Sequence, residues 1–447
     1  MTTTIELADI KRIDGFALPD ALRDTIARAT HPRFGLIKTI VETPVPQGLP
    51  RFHQYSASLA DVRRLRRGRS RASEKAIRGG ALGCNPVDTL WAAVGESVER
   101  YSAAIYPEDA IVHGTCDSLQ IDDTIMRRLI RFSPEMLADP EVFFHDYDPD
   151  LPRGWVRGTS LLDGAPVWLA AQSVVFNYHM AHDHELLSHN TSNGIAAGQD
   201  IDAARLGGLC EVIERDAFAC HWMLRRAPDA LPASQLDTLS LPRQVRALMN
   251  SPSHRLRVFD MRVDIDIPTI LVVLSNSDDT VFCIGASCKP TLDQAVTKAV
   301  CESIHCWTYL AQQRLLGARP VAFEDISNFL EHAEFYLDPV RKPAFWWLTE
   351  GDVAEYHTDF PNGDTSTATL EALLERVGAA GHIPVWFDMT GMDAAQLGLA
   401  VGKVVVPGLQ PLYSGLAIPD DLRRLEQAAP HLGLTQVELN RDPHPFP

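Results

Sequence analysis

Two stretches of this 447-residue chain repeat one another in register, and the repeat limits what the chain can build. Gly83, Asn85, Ala92, Glu96, Glu99 and Arg100 in the first recur as Gly198, Asp200, Gly207, Glu211, Glu214 and Arg215 in the second. Thirteen positions separate the glycine from the first glutamate in both, and both close on Glu-x-x-Glu-Arg. Asn85 and Asp200 are helix-capping residue types, and Pro86 suits a first helical position. The pattern predicts helices from Asn85 to about Ile105 and from Asp200 to about Leu224.

Residues three and four apart share a helix face. Glu96 and Glu99 therefore point the same way, with Arg100 beside Glu96 and Ala92 one turn below. Glu211, Glu214, Arg215 and Gly207 repeat the arrangement. The small residue before each pair would let a bulky group approach the carboxylates. Val94, Val98, Leu209 and Ile213 on the far sides are expected to face the core. One copy alone would read as a surface salt-bridge ladder, but two copies in register point to a site. Four carboxylates on two like helices suit a hard, oxygen-seeking cation such as Mg²⁺, which commonly bridges to substrate phosphates. A third helix is expected from Thr291 to about Leu310, opened by a capping box at Thr291-Leu-Asp-Gln294. It presents Lys298 and Glu302 at i, i+4 with Ala295 one turn below.

The net charge of −17 argues against nucleic acid and anionic membranes as partners. No Walker loop, strand-linked Gly-x-Gly-x-x-Gly or Gly-x-Ser-x-Gly elbow occurs. The eight cysteines form no Cys-x-x-Cys, no signal peptide opens the chain, and no apolar run approaches a membrane span, so a reducing cytoplasm is expected. Arginines at 63, 64, 66, 67, 69 and 71 read as solvated surface. His179, His182, His184 and His189 match no standard metal spacing and read as a polar loop leading into Ser192-Asn193-Gly194. Strands are expected at Phe34–Val41, on either side of Gly164 between Trp155 and Phe176, at Arg257–Val263, Ile267–Leu274, Thr280–Ala286, His382–Phe387 and Lys403–Val406. A last helix is expected at Pro419–Ala429. Strands and helices alternate throughout, so the fold class is α/β or α+β with mixed sheets.

These motifs resemble the YcaO family. Its marks are a first Glu-x-x-Glu-Arg helix, a Ser-Asn-Gly-x-Ala-x-Gly stretch before a second Glu-x-x-Glu-Arg-Asp helix, and a later basic-x-x-x-Glu helix. Here they read Glu96 to Arg100, Ser192-Asn193-Gly194 to Gly198 with Glu211 to Asp216, and Lys298 to Glu302. The resemblance spans about Gly79 to Leu310 and implies a YcaO-type fold with paired glutamate-bearing helices around an ATP site. It implies an N-terminal region over residues 1–75 and a catalytic domain over 76–447.

The family implies ATP-dependent activation of a peptide amide, with ATP and Mg²⁺ as cofactors. Glu96, Glu99, Glu211 and Glu214 resemble the glutamates that hold Mg²⁺ on the ATP phosphates. Asn193 is implied in a nucleotide or metal contact, Lys298 and Glu302 in nucleotide binding, and Arg100 and Arg215 in phosphate contact or carboxylate orientation. Three positions depart from the common pattern: Leu82 stands for a lysine, Ala92 for a serine and Lys298 for an arginine. The tail, Pro443-His-Pro-Phe-Pro447, resembles that of azoline-forming cyclodehydratases, whose terminus reaches the active site. Pro447 is then expected to serve in proton removal.

The resemblance thus implies a peptide cyclodehydratase that turns Cys, Ser or Thr of a ribosomal precursor peptide into thiazoline or oxazoline. Thioamide or amidine formation and a non-catalytic docking role are the rival readings. The implied partners are the precursor peptide, a separate leader-binding protein, a dehydrogenase in the same complex and a second copy in a homodimer.

Overall fold

Gly83 and Gly198 each end a strand and turn the chain into a glutamate-bearing helix. The computed structural model describes residues 3–4, 12–60, 78–105, 108–176, 178–361, 363 and 365–446. A Cβ on Gly83 would lie 2.4 Å from Thr89 Oγ1, and one on Gly198 would lie 2.4 Å from the Ala204 nitrogen. Thr89 and Ala204 hold the same place in the repeat, so both glycines let a helix fold tightly back onto its own strand. The first glutamate helix spans Pro86–Ala103, and Asn85 caps it by accepting from the Val87 N–H at 2.8 Å. The second spans Ile201–Met223, capped by Asp200 accepting from the Ala203 N–H at 2.7 Å. The lysine helix runs past the expected end, over Leu292–Leu315. Thr291 accepts from the Gln294 N–H, so only its half of the expected capping box forms.

Three larger sheets each carry one of these helices. The first orders Thr3–Thr4, Ile37–Glu42, His53–Leu59 and Arg78–Gly83, and the first glutamate helix packs on it. The second runs Ile195–Gly198, Ala400–Val405, Val385–Asp388, Arg153–Ser160 and Val112–Gly114, with Pro166–Ala170 also paired to Arg153–Ser160. The second glutamate helix crosses its Ile195–Gly198 and Ala400–Val405 strands. The third orders Asp229–Ala230, His254–Asp260, Thr269–Asn276 and Phe282–Cys288, under the lysine helix. Strands and helices mix as expected. Every ladder between these strands is antiparallel, which places the chain at the α+β end of that expectation.

The third sheet explains its own sequence. Leu271 and Val273 pack with Phe218 and Trp222 of the second glutamate helix. Ile270, Val272 and Leu274 pack with Val296, Ala299 and Val300 of the lysine helix. A sheet covered on both faces reads as an unbroken apolar run rather than an alternation. Val94, Val98, Leu209 and Ile213 are buried, as the repeat predicts.

Some boundaries move. The first expected strand begins at Ile37, leaving Phe34 exposed, because Gly35 closes a tight turn back on His31. The hairpin at Gly164 forms, but the chain enters a helical turn at Ala171 instead of staying extended to Phe176. The last helix is confined to Arg423–Ala428. The arginine-rich stretch 61–71 lies outside the described residues. Among the described residues, no helix is long and apolar enough to cross a membrane.

The proline-rich tail is docked, not frayed. The Asn440 N–H donates to the Met223 carbonyl at 2.7 Å and Trp222 Nε1 to the Asp442 carbonyl at 3.0 Å. Tyr336 Oη donates to the Pro443 carbonyl. His444 is buried, stacks on His332 with ring centres 4.0 Å apart and donates through Nε2 to the Tyr413 carbonyl.

Candidate functional site

The three helices bring their charged faces together, one from each sheet. Within the first, Arg100 Nε donates to Glu96 Oε1 at 2.9 Å. Within the second, Arg215 lies 3.7 Å from Glu211 Oε1 and 3.6 Å from Glu214 Oε1. On the lysine helix, Lys298 pairs with Glu302.

Between helices the same charges act on one another. Burial pushes the Glu99 carboxyl well above the usual carboxylate range, and Glu211 across the gap and Glu96 on its own helix push it further. Burial also raises Glu211; Arg215 opposes it and Glu214 adds to it. Glu214 is raised by burial against Arg215, with Glu302 of the lysine helix adding. Burial works to raise Glu302 as well, but Lys298 and His305 overcome it and hold that carboxyl at about 2. Lys298 in turn is held more firmly protonated by Glu302, with Glu96 contributing. The charges thus close a ring from Glu96 through Lys298, Glu302, Glu214, Arg215, Glu211 and Glu99.

Backbone donors fix two of the carboxylates by one oxygen each. The Gly194 N–H donates to Glu211 Oε2 at 3.0 Å, and the Cys288 N–H to Glu214 Oε2 at 3.2 Å. The other oxygens, Glu211 Oε1 and Glu214 Oε1, face Arg215. Asn193, next to Gly194, has its Oδ1 buried with no hydrogen-bond partner among the described residues. Facing carboxylates raised by burial and by each other, with an orphaned amide oxygen beside them, fit a divalent cation that takes oxygen ligands. The cationic groups of Arg100, Arg215 and Lys298, each paired with carboxylates of the ring, fit a polyanion such as a nucleotide phosphate.

The small residues of the repeat divide between two roles. A Cβ on Gly95 would meet nothing within 4 Å and Ala92 is exposed, so the first helix does leave room above its glutamates. A Cβ on Gly207 would sit 3.3 Å from Ala196 Cβ, and one on Gly208 only 2.5 Å from the Gly194 carbonyl oxygen. On the second helix, smallness serves packing against the Ile195–Gly198 strand rather than ligand approach. Ala295 is likewise buried in the third-sheet core. Leu82 packs in that core with Phe52 and offers no charge to the site.

One site residue escapes the sequence reading. Lys403 sits on the strand Ala400–Val405, buried, with Nζ donating to the Thr191 carbonyl at 2.9 Å. Burial lowers its ammonium to about 8, with Glu211 acting against the shift. A lone lysine inside Val401-Gly402-Lys403-Val404-Val405 is the signal that could have found it. The four histidines do not converge: His184 bonds the Pro152 carbonyl and His189 the Ala417 carbonyl. The tail brings Phe446 to the ring, where Arg215 stacks on it. Pro447 lies outside the described residues.

Residues 82–410 match the YcaO cyclodehydratase family, described as ATP- and Mg²⁺-binding. The chain belongs to the YcaO family. ATP and Mg²⁺ are the cofactors of that family, and the charged ring fits both. This YcaO chain is 26% identical over 354 residues to an uncharacterized Rhizobium leguminosarum bv. trifolii protein in the tfuA 3' region, covering 75% of this chain and 77% of that one. Its fold matches a heterocyclase solved in complex with substrate and cofactor, with a TM-score of 0.74 at 20% identity. That match covers 98% of this chain and spans 59% of the longer heterocyclase chain. It also matches YcaO from Methanopyrus kandleri bound with AMPPCP and Mg²⁺, with a TM-score of 0.62 at 19% identity, covering 90% of this chain and 93% of that one.

Proposed function

We propose that this YcaO chain is a peptide cyclodehydratase, forming thiazoline or oxazoline rings from Cys, Ser or Thr of a ribosomally made precursor peptide. The observation that carries the reading is the docked tail: Pro443 to Phe446 is held by Tyr336, Tyr413 and Arg215, and ends at the charged ring. A segment so anchored is suited to position a substrate amide against the nucleotide.

Glu96, Glu99, Glu211 and Glu214 would hold Mg²⁺ on the nucleotide phosphates. Arg100, Arg215 and Lys298 would balance phosphate charge, Glu302 would orient Lys298, and Asn193 would supply a further polar contact. Bound ATP supplies the phosphoryl group that makes an amide oxygen a good leaving group. The chain's own contribution is placement. Gly194 and Cys288 N–H groups pin Glu211 and Glu214 before any ligand arrives, so little reorganisation is left for the reaction. Lys403, tied to the Thr191 carbonyl, holds the Asn193 loop as a positioning residue.

Leader recognition is assigned to a separate protein, and azoline oxidation to a dehydrogenase in the same assembly; a homodimer is the expected form, in the cytoplasm. The test is the mass of a precursor peptide after incubation with this chain, its partner, ATP and Mg²⁺. Loss of one water per modified residue supports cyclodehydration. Exchange of oxygen for sulfur would instead mean thioamide formation, and an amidine would mark macrocyclisation.

A second reading rests on Leu82, on the strand before the first helix, and Ala92, within that helix, neither of which offers a phosphate-binding side chain. A non-catalytic docking subunit would show no nucleotide turnover with any peptide or partner.

A further inference from the structure

A second cluster of ligand-type side chains lies on the first sheet, outside the charged ring. Asp14 occupies the left-handed turn between Arg12–Ile13 and Phe16–Ala17, with φ of 50°. Glu42 ends one strand and His53 begins the next. His53 Nδ1 lies 3.4 Å from Asp14 Oδ2 and 3.7 Å from Glu42 Oε1. One donor atom from each of the three falls within 4.8 Å of the others. Ligands about 2.1 Å from a tetrahedral zinc ion are spaced about 3.4 Å apart, so these separations approach the edges of a coordination tetrahedron.

Two buried groups point to an occupant. The His53 side chain is 7% exposed, and its Nδ1 has no hydrogen-bond partner among the described residues. Tyr55, two residues on along the same strand face and directly across from Glu42, is fully buried with its hydroxyl equally unpartnered. Arg51 is the competing partner: it donates to Asp14 Oδ2 at 2.6 Å, but its side chain is 72% exposed and free to swing away. Glu42 and Arg51 also wall a surface depression with Pro44, Pro46 and Phe52.

We propose that Asp14, Glu42 and His53 form a second cation site that takes one divalent transition-metal ion, with Zn²⁺ the ion matched by an imidazole and two carboxylates. The ion clamps the Arg12–Ala17 hairpin onto the first sheet, and the site is independent of the nucleotide reading.

The experiment is equilibrium dialysis of the full chain against micromolar Zn²⁺ in excess Mg²⁺, followed by metal analysis, alongside thermal unfolding. It is done in the Glu99→Gln/Glu214→Gln background so that the charged ring does not contribute. One bound Zn²⁺ per chain is expected, with a rise in melting temperature. His53→Asn and Glu42→Gln should each weaken binding by about tenfold or more and remove the rise. Glu42→Gln lies at a strand end and leaves the core intact, so it reads the site even if His53→Asn folds poorly. Failure to bind Zn²⁺, or binding that survives both substitutions, would overturn the proposal.

Discussion

The Arg215 guanidinium lies over the Phe446 ring, 3.9 Å from its centre, while the same arginine faces Glu211 and Glu214. One side chain therefore ties the C-terminal tail to the carboxylates of the second helix. A cation over an aromatic face contributes about 0.5–2 kcal/mol, the more when desolvated. Phe446 also packs edge-on against Phe218 at 5.0 Å. Phe446→Ala should therefore lower stability by about 3 kcal/mol. It should also cut the proposed cyclisation by more than tenfold while leaving nucleotide binding within a factor of a few. Urea denaturation and separate binding and turnover assays check the two halves.

Glu99, Glu211 and Glu214 all have folded-state proton affinities above their ordinary value of 4.5. Such groups favour folding most when protonated, and that contribution is lost as pH rises from about 4.5 through their raised values. Without nucleotide, the protein should lose melting temperature over that interval. Glu99→Gln should flatten the slope and match or exceed the wild type near neutral pH. A slope unchanged in the variant would show that these carboxylates do not repel one another.

Gly208→Ala and Gly95→Ala should separate packing from access. The first places a methyl 2.5 Å from the Gly194 carbonyl oxygen, which is fixed because Val404 N–H donates to it at 2.8 Å. Overpacking of this kind costs about 1–3 kcal/mol. Gly95 meets nothing and lies mid-helix, so alanine there should stabilise the free protein by up to about 1 kcal/mol. Thermal unfolding of both variants without ligand is sufficient.

Lys403→Met keeps an unbranched side chain, one atom shorter, but leaves the Thr191 carbonyl without its donor. The loop bearing Asn193 should loosen, and KM for ATP should rise by about tenfold for a lost charged hydrogen bond. A fall in kcat with KM unchanged would instead place the ammonium in the chemical step.

The glutamate ring was legible because helix spacing turns a linear repeat into a face, and Asn85 and Asp200 cap as their residue types dictate. The third-sheet strands were legible because covering both faces makes their sequence continuously apolar. The strand Ile195–Gly198 was not, because close helix packing demands Gly194, Ala196 and Gly198 there, and small residues carry no strand signature. Lys403 was hidden because its meaning depends on Thr191 and Glu211, both distant in sequence. The same holds for Asp14, Glu42 and His53, which come from three separate elements. Proline-rich composition reads as an extended end and says nothing of the Tyr336, Tyr413 and Arg215 contacts that seat the tail.

The most direct measurement is the melting temperature of the purified chain titrated with ATP at saturating Mg²⁺, beside Glu99→Gln and Glu214→Gln. If the ring holds the nucleotide through Mg²⁺, the wild type should gain about 2.7 kcal/mol at a hundredfold excess over Kd, and the gain should keep rising with the logarithm of ATP concentration. Both variants should lose that gain while remaining folded. A shift of equal size in all three proteins would contradict the assignment of these carboxylates to the nucleotide metal.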